Sequence, residues 1–508
     1  MNSSQIGIMI SIVLYLSIVV IIGVIYSKKT KNVGDFYLGG RKLGPLVTAM
    51  SAEASDMSSY LLMGLPGLAY LTGLADVGWT VIGLAVGTYL NWLITAKKLR
   101  NYSDKIGAIT VPDFFAKRYR DKSNILLALS ALVIIIFFVP YTASGFAACG
   151  KLFGTLFGID YHIAMVVSAI VIVGYTSLGG FNAASMTDFI QSIIMTVALV
   201  VVLIFGVAQA GGMSAVIENA KSLDGYFEMF RTYDPATNTA SPYTGLTICS
   251  TLAWGLGYFG MPHILLRFMA IEDPNKVKTS RRVASVWVVI SMAIAVLIGV
   301  VGLGMVNKGV IAPLEDSERI IIYISNHLST FGFGAALVAG IILAGILAST
   351  MSTADSQLLA ASSSMSENIL GGLFRLKLGE TAQMVVARVT LIVISVIGVI
   401  LAWDSNSNVF KIVSFAWAGF GAAFGPVMLL ALFWKRSNKY GAICGMFAGG
   451  AMVFIWKFAL RPLGGVWDIY ELLPAFIIGL AVNVIVSLIT KKPEDEIVED
   501  FEKVKAIK

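Results

Sequence analysis

Thirteen apolar runs long enough to cross a bilayer recur along the chain, separated by short polar segments that hold most of its charge. A helix rises about 1.5 Å per residue, so roughly 20 apolar residues span the hydrocarbon layer. The predicted spans are residues 5–26, 44–70, 77–96, 124–149, 161–179, 186–210, 245–268, 283–306, 333–360, 383–402, 409–434, 440–460 and 470–489. The pattern predicts an all-α polytopic membrane protein with about 13 transmembrane helices. No connection is long enough for a second folded domain. The longest outer segment, 211–243, has room for a short helix, and the tail, 491–508, alternates acids and bases as a solvated or frayed helix would.

Two runs are interrupted. In the second, Ala52-Glu53-Ala54-Ser55-Asp56-Met57-Ser58-Ser59-Tyr60 places two carboxylates inside an otherwise apolar stretch. A charge at bilayer depth costs roughly 2.5–3.5 kcal/mol, so it normally lines a cavity or an ion path. The small residues around it leave backbone carbonyls uncovered, which predicts a broken helix holding a cation at mid-membrane. In the seventh run, Trp254-Gly255-Leu256-Gly257-Tyr258-Phe259-Gly260-Met261-Pro262 crowds three glycines and a proline together. Glycine costs about 1 kcal/mol and proline about 3 in a helix interior, so this run too must break. Spans 2–6 and 7–11 form two sets of five, and an odd number forces opposite orientations. The organisation predicted is therefore an inverted repeat whose site lies where each first helix breaks. Its parts are an extra N-terminal helix with its loop (1–43), repeat 1 (44–210), an outer loop (211–244), repeat 2 (245–434), two C-terminal helices (435–490) and a cytoplasmic tail (491–508).

The ninth run supplies matching polar groups. Ser349, Ser352, Thr353 and Ser356 recur at helical spacing and form one stripe, suited either to hard-cation ligation or to close helix packing. Asp188, at the predicted start of span 6, is a second cation candidate or a helix cap with Thr187. Glu53 and Asp355 either pair with a cation or carry a proton in transport. Tyr141, Trp254 and Tyr258 stand near breaks or kinks, where aromatics enclose a small apolar ring or simply pack.

Composition narrows the class. The chain is 57% hydrophobic and only 13% charged, well below the ~25% charged residues of soluble domains. Its net charge of +7 reflects placement rather than nucleic-acid binding. One set of alternate loops and the tail hold 29 Lys and Arg, whereas the other side holds Lys151, Lys221, Arg231, Lys308, Arg319 and Arg461. The positive-inside rule then puts the N-terminus outside and the C-terminus in the cytoplasm, with Lys411 and Lys457 snorkelling from span ends. Three cysteines without metal-ligand spacing argue against disulfides and zinc, and residues 1–26 read as a retained span rather than a signal peptide.

The runs Leu38-Gly39-Gly40-Arg41, Ala54-Ser55-Asp56-Met57-Ser58, Leu62-Met63-Gly64-Leu65-Pro66-Gly67, Trp254 to Gly260, Met351-Ser352-Thr353 and Ala416-Trp417-Ala418-Gly419-Phe420-Gly421 resemble the sodium/solute symporter family, in particular its bacterial proline branch. The resemblance implies a LeuT-type 5+5 inverted repeat with one extra helix before it and two after. It also implies a sodium site from Asp56, the carbonyls of Ala54 and Met57, the hydroxyls of Ser352 and Thr353, and the carbonyl of Ser349, a position usually alanine in the proline transporters. Ser58, Tyr141, Trp254, Tyr258 and Pro262 would contact substrate. In relatives with a second sodium site, the positions of Asp188, Ser352, Asp355 and Ser356 surround that ion. Three positions depart from the family pattern: Glu53 for glycine, Met261 for glutamine and Asp355 for a small hydroxyl residue. The expectation is a second cation or proton site from Asp188, Asp355, Ser356 and Glu53.

The function expected is a sodium-coupled symporter importing L-proline by alternating access in the cell membrane. The alternative cargo is another small amino acid or monocarboxylate, driven by Na+ or H+. A non-transporting solute sensor is a rival that the lack of a signalling domain after Lys491 disfavours. The partners expected are the small-molecule substrate and the lipid bilayer, with no nucleic acid and no obligate protein.

Overall fold

The computed structural model describes residues 2–28, 33–376 and 379–506. Lys29, Lys31, Lys377 and Lys508, counted above among the inner-side charges, lie outside the described residues. Among those described, ten helices are long and apolar enough to cross a membrane, and each coincides with a predicted span. The other three predicted spans are helical but broken or short, as their sequences require.

The chain opens with α1 (Ser3–Ser27), whose N-terminus is closed by a capping box between Asn2 and Gln5. After the short α2 (Val33–Leu38) comes the first broken span. α3 (Pro45–Ser59) ends as Ser58 adopts φ 47°, ψ −168°, and a five-residue wide turn leads into α4 (Leu65–Thr72). A non-glycine residue at positive φ is strained, and the Ser58 hydroxyl offsets part of that strain by accepting from the Tyr60 N–H at 3.1 Å. α5 (Leu74–Leu90) continues through a wide turn into α6 (Ala96–Lys105), so the predicted span 77–96 is a helix running from Leu74 to Lys105 that carries charged residues beyond the apolar stretch. α7 (Val111–Arg118) and α8 (Ile125–Phe157) follow.

α9 (Tyr161–Gln209) contains spans 5 and 6, separated at Gly180 (φ 63°, ψ −166°) where Phe36 leaves no room for a Cβ. Asp188 therefore lies two turns inside the helix after the break, and the capping alternative is corrected: Thr187 donates to the carbonyls of Ala183 and Ala184 instead. The outer segment holds the expected short helix, α10 (Met213–Ser222), and also an unforeseen hairpin of β1 (Arg231–Asp234) and β2 (Thr239–Pro242), paired antiparallel with Arg231 opposite Pro242.

The second broken span consists of α11 (Gly245–Leu252), a tight 3-10 stretch from Ala253 to Phe259, and α12 (Pro262–Ala270), with Met261 extended between them. Proline at the first helical position loses no hydrogen bond, which is why the helix restarts there. α5 crosses this break at backbone contact: a Cβ on Gly87 would lie 2.4 Å from the Cα of Gly255. The Asn91 side chain donates to the exposed carbonyl of Tyr258 at 2.9 Å.

The rest of the bundle is α13 (Val277–Asn307), α14 (Ile320–Ser329), α15 (Phe333–Ser363), α16 (Glu380–Leu401), α17 (Val409–Phe433), α18 (Lys439–Ile455) and α19 (Leu472–Ile489). α15 is central, packing on α1, α3, α8 and α9. Its helix runs on to Leu373 through a wide turn, thirteen residues past the predicted end.

The tail departs from expectation. α20 (Asp495–Lys505) is docked rather than solvated, with Ile497, Phe501 and Val504 buried. The Phe501 ring stands 5.3 Å from the Arg118 guanidinium, while Asp500 pairs with Lys105 at 3.3 Å and with Arg120 at 3.2 Å. Alternating charge gave the polar rim; the three apolar residues one helical face apart gave the docking. Phe501→Ala is expected to release the helix and to speed tryptic cleavage at Lys503 and Lys505 by about tenfold or more, since a buried phenylalanine contributes several kcal/mol.

Candidate functional site

The break after Met57 brings the middle of the chain's polar groups to one place. Ala54, Asp56, Met57 and Ser58 are all buried. The Ser352 hydroxyl on α15 donates to the Ala54 carbonyl at 2.9 Å and lies 3.2 Å from the Ser349 carbonyl, to which Thr353 also donates at 3.1 Å. Oxygens of Ala54, Ser349, Ser352 and Thr353 thus converge between α3 and α15, a set of hard donors suited to a small cation. Two residues after Ala54, the Asp56 carboxylate accepts from the Tyr258 hydroxyl at 2.7 Å, and its other oxygen has no hydrogen-bond partner among the described residues. The Asp56 carbonyl accepts from Tyr141 at 3.2 Å. The first break, the second break and α8 therefore meet at Asp56.

Beside it lies a narrow cavity lined by Asp56, Met57, Tyr60, Tyr141, Trp254 and Trp417. Ser58 lines an adjoining cavity on the far side of Tyr141, next to Thr353. Pro262 begins α12 and is buried, but it lines neither cavity. A stack of Tyr60, Trp254, Phe410 and Tyr470 roofs the cavity, with ring centroids 5.0–5.7 Å apart. Above the roof opens a polar vestibule of about 610 Å³ bordered by Asp76, Glu318, Lys411 and Arg461. On the opposite side the path is sealed: Arg41 donates to the carbonyls of Met269 and Ala108, and Arg100 to that of Ile271, each at 2.6 Å. These two guanidiniums bind the negative end of the α12 dipole.

Two arrangements escape sequence reasoning. Arg267, one of the 29 inner-side charges counted above and at the end of predicted span 245–268, is 1% exposed in α12. It pairs with Asp188 at 2.9 Å and donates to Ser51 at 3.0 Å and to Ser356 at 2.6 Å. Asp188 also accepts from Ser51 at 2.7 Å. Asp355 accepts from Tyr175 at 2.7 Å and from Ser356 at 3.2 Å, so Ser356 links Asp355 to the guanidinium that pairs with Asp188. Glu53 stands apart from this group, accepting from the Trp92 indole at 2.9 Å. The second arrangement involves Lys151, counted among outer charges but 3% exposed, which pairs with Glu318 at 2.8 Å and Asp316 at 2.9 Å. Glu318 in turn accepts from the N–H groups of Val409 and Phe410 at the start of α17. That contact sets Phe410 in the aromatic roof. The sequence signal for either pair is a cation in an apolar segment, Arg267 between Leu266 and Phe268 and Lys151 between Gly150 and Leu152.

Residues 36–449 match the sequence profile of the Sodium:solute symporter family. The chain belongs to the sodium:solute symporter family. It is 41% identical over 491 residues, 96% of each chain, to an osmoregulated proline transporter of Bacillus subtilis. Identity to a high-affinity proline transporter of the same organism is also 41%, covering 95% of this chain and 98% of the relative. A sodium/proline symporter of Staphylococcus aureus is 38% identical over 98% of this chain and 96% of its own length. Among solved structures, a Na+-coupled sialic acid symporter in a substrate-bound outward-open state superposes with a TM-score of 0.78 at 18% identity, covering 96% of this chain and 99% of that one. Mhp1, a nucleobase-cation-symport-1 family transporter, gives 0.55 at 13% identity, covering 93% and 99%. The fold of this family member is accordingly the LeuT-like one, which explains why both breaks face one site.

Proposed function

We propose that this chain is a sodium-coupled symporter that imports L-proline by alternating access, with its N-terminus outside, its C-terminus in the cytoplasm and thirteen crossings. The observation that carries the reading is the meeting at Asp56 of two helix breaks with the oxygen cluster between α3 and α15; relatives named as proline transporters support the cargo. Sodium would be held by the Ala54, Met57 and Ser349 carbonyls, the Ser352 and Thr353 hydroxyls, and the charge of Asp56. Ser352 turns its hydroxyl from donor to ligand when the ion arrives. Binding there fastens α3 to α15 and holds the first break open for substrate. Proline would lie among Ser58, Tyr141, Trp254 and Tyr258, its ring against the aromatic roof, with Pro262 shaping the second break from outside the cavity rather than touching the substrate.

Rocking of one repeat against the other would then close the vestibule and release the Arg41 and Arg100 seal. Coupling follows only if sodium prefers the substrate-competent arrangement, because equal affinity for both arrangements shifts nothing. In the group of Asp188, Asp355, Ser356 and Arg267, two carboxylates face one guanidinium. One net negative charge is left, and a second monovalent cation would balance it. The test of the reading is uptake of labelled proline into proteoliposomes under an inward sodium gradient, an inward proton gradient or neither. Sodium-driven accumulation supports it; uptake driven by protons alone, or none under any gradient, refutes it.

Glu318→Ala leaves Lys151 buried with Asp316 as its remaining partner and unfastens the start of α17. It is expected to cut initial proline uptake about tenfold and to lower the melting temperature of the purified protein, since removing one partner of a buried pair costs roughly 3–5 kcal/mol. Glu318→Gln, which keeps one backbone contact, should recover part of the uptake.

A further inference from the structure

A groove of about 470 Å³ runs along the outside of α13, between it and α9, with Met50 of α3 as its floor. Val286, Trp287, Ile290 and Ile294 form one wall and Leu199 part of the other. The hydroxyls that border it are already used within the protein: Thr196 donates to the Ser192 carbonyl at 2.7 Å and accepts from Trp287 at 2.8 Å, and Ser291 donates to the Val288 carbonyl at 3.2 Å. Val286 and Ile290 are 59% and 51% exposed. This is a slot for hydrocarbon with no demand for a polar group along its length.

Its end is different. Arg282 lines the mouth, and Lys278 lies one helical turn earlier, so that 278, 282, 286 and 290 follow one another at i, i+4 along a single face. Both cations are exposed, and neither makes an ion pair, a ring contact or a hydrogen bond among the described residues. Their neighbours are engaged: Lys276 pairs with Glu272 at 2.6 Å, and Arg281 lies 5.3 Å from the Tyr89 ring centroid. Two unpartnered cations at the head of an apolar slot complement a molecule with an acyl chain and an anionic head.

We propose that this groove binds an anionic phospholipid, its phosphate at Lys278 and Arg282 and one acyl chain along Val286, Ile290 and Ile294. The assignment rests on the membrane reading and, for the inner leaflet, on the orientation proposed above. A zwitterionic lipid would bring an ammonium group toward the same two cations. The site has a functional reach because Met50 precedes Ala54 by one turn of α3. A chain seated on Met50 packs against the half-helix that carries Asp56 and supports it in the arrangement described here.

The test uses the full chain in nanodiscs with acyl-brominated phosphatidylglycerol or phosphatidylcholine, which quench nearby tryptophan emission. The signal of interest is the component that Trp287→Phe removes. Phosphatidylglycerol is expected to quench it at a lower mole fraction, by about fivefold for each cation engaged. Lys278→Gln with Arg282→Gln should abolish that preference while the melting temperature is retained. Equal quenching by the two lipids, a preference that survives the double substitution, or no quenching of Trp287 by either lipid, as a second copy of the chain covering the groove would produce, overturns the proposal. Preference for phosphatidylglycerol without sodium-driven proline uptake would refute the transport reading and leave the lipid site standing.

Discussion

Asp56→Ala is expected to weaken sodium dependence of proline uptake by about 10- to 100-fold while the protein still inserts and folds. The magnitude follows from what the carboxylate does. It accepts the Tyr258 hydroxyl at 2.7 Å, it has a second oxygen free of hydrogen bonds among the described residues, and it is buried two residues along the chain from Ala54, whose carbonyl accepts from Ser352. A hydrogen bond to a charged group contributes about 1.5–3 kcal/mol, and each 1.4 kcal/mol is about tenfold in affinity. Asp56→Asn separates the two contributions. It retains the shape and a contact to Tyr258 but not the charge, so a loss close to that of alanine assigns the effect to charge. Tyr258→Phe should be milder, because the carboxylate remains. The check is the sodium concentration giving half-maximal uptake, measured with protein quantity and melting temperature. Unaltered sodium dependence in Asp56→Ala would remove this residue from the ion site.

Arg267→Gln is expected to be more damaging to the fold than to any one binding step. Its guanidinium pairs with Asp188 and reaches Asp355 through Ser356, and without it the two carboxylates have no balancing charge among the described residues. Removing one member of such a pair costs roughly 3–5 kcal/mol, a large part of a domain's stability. The amount of folded protein should fall several-fold and the melting temperature with it. Asp188→Asn alone should also be harmful, since it removes the carboxylate in direct contact with the guanidinium. The double variant should be less destabilised than the sum of the two, with the coupling read from a double-mutant cycle. Asp355→Asn gives a different signature: the group becomes neutral overall, the fold is kept, and the cooperativity of uptake with sodium falls toward that of a single ion. Simple additivity of Arg267→Gln and Asp188→Asn would contradict the pairing.

What could be read from the sequence was whatever depends on local chemistry. The crowding of Gly255, Gly257, Gly260 and Pro262 forces a break wherever it occurs, and the carboxylate of Asp56 in an apolar run demands a partner whatever the fold. The spacing of Ser349, Ser352, Thr353 and Ser356 places them on one face of any helix. What escaped depends on contacts between distant segments. Nothing near Arg267 announces that Asp188, 79 positions earlier, will neutralise it, so it counted as an inner-side charge. The burial of Lys151 was hidden for the same reason, its partners being 165 and 167 positions away. Glu53 followed the same logic in reverse: the sequence grouped it with Asp188 and Asp355, but α3 turns its side chain toward Trp92. The docked tail was hidden because its charged rim outweighs Ile497, Phe501 and Val504 in any average over the segment.

The central claim is that sodium at the α3–α15 oxygens prepares the proline site, and linkage makes that claim measurable in one titration. Equilibrium binding of labelled proline to the purified protein should tighten at least about tenfold as NaCl replaces KCl at constant ionic strength, a coupling in the usual range for two linked sites. Thr353→Ala together with Ser352→Ala should remove that gain while leaving the weak binding in KCl unchanged. Proline affinity that is the same in sodium and in potassium would contradict the account.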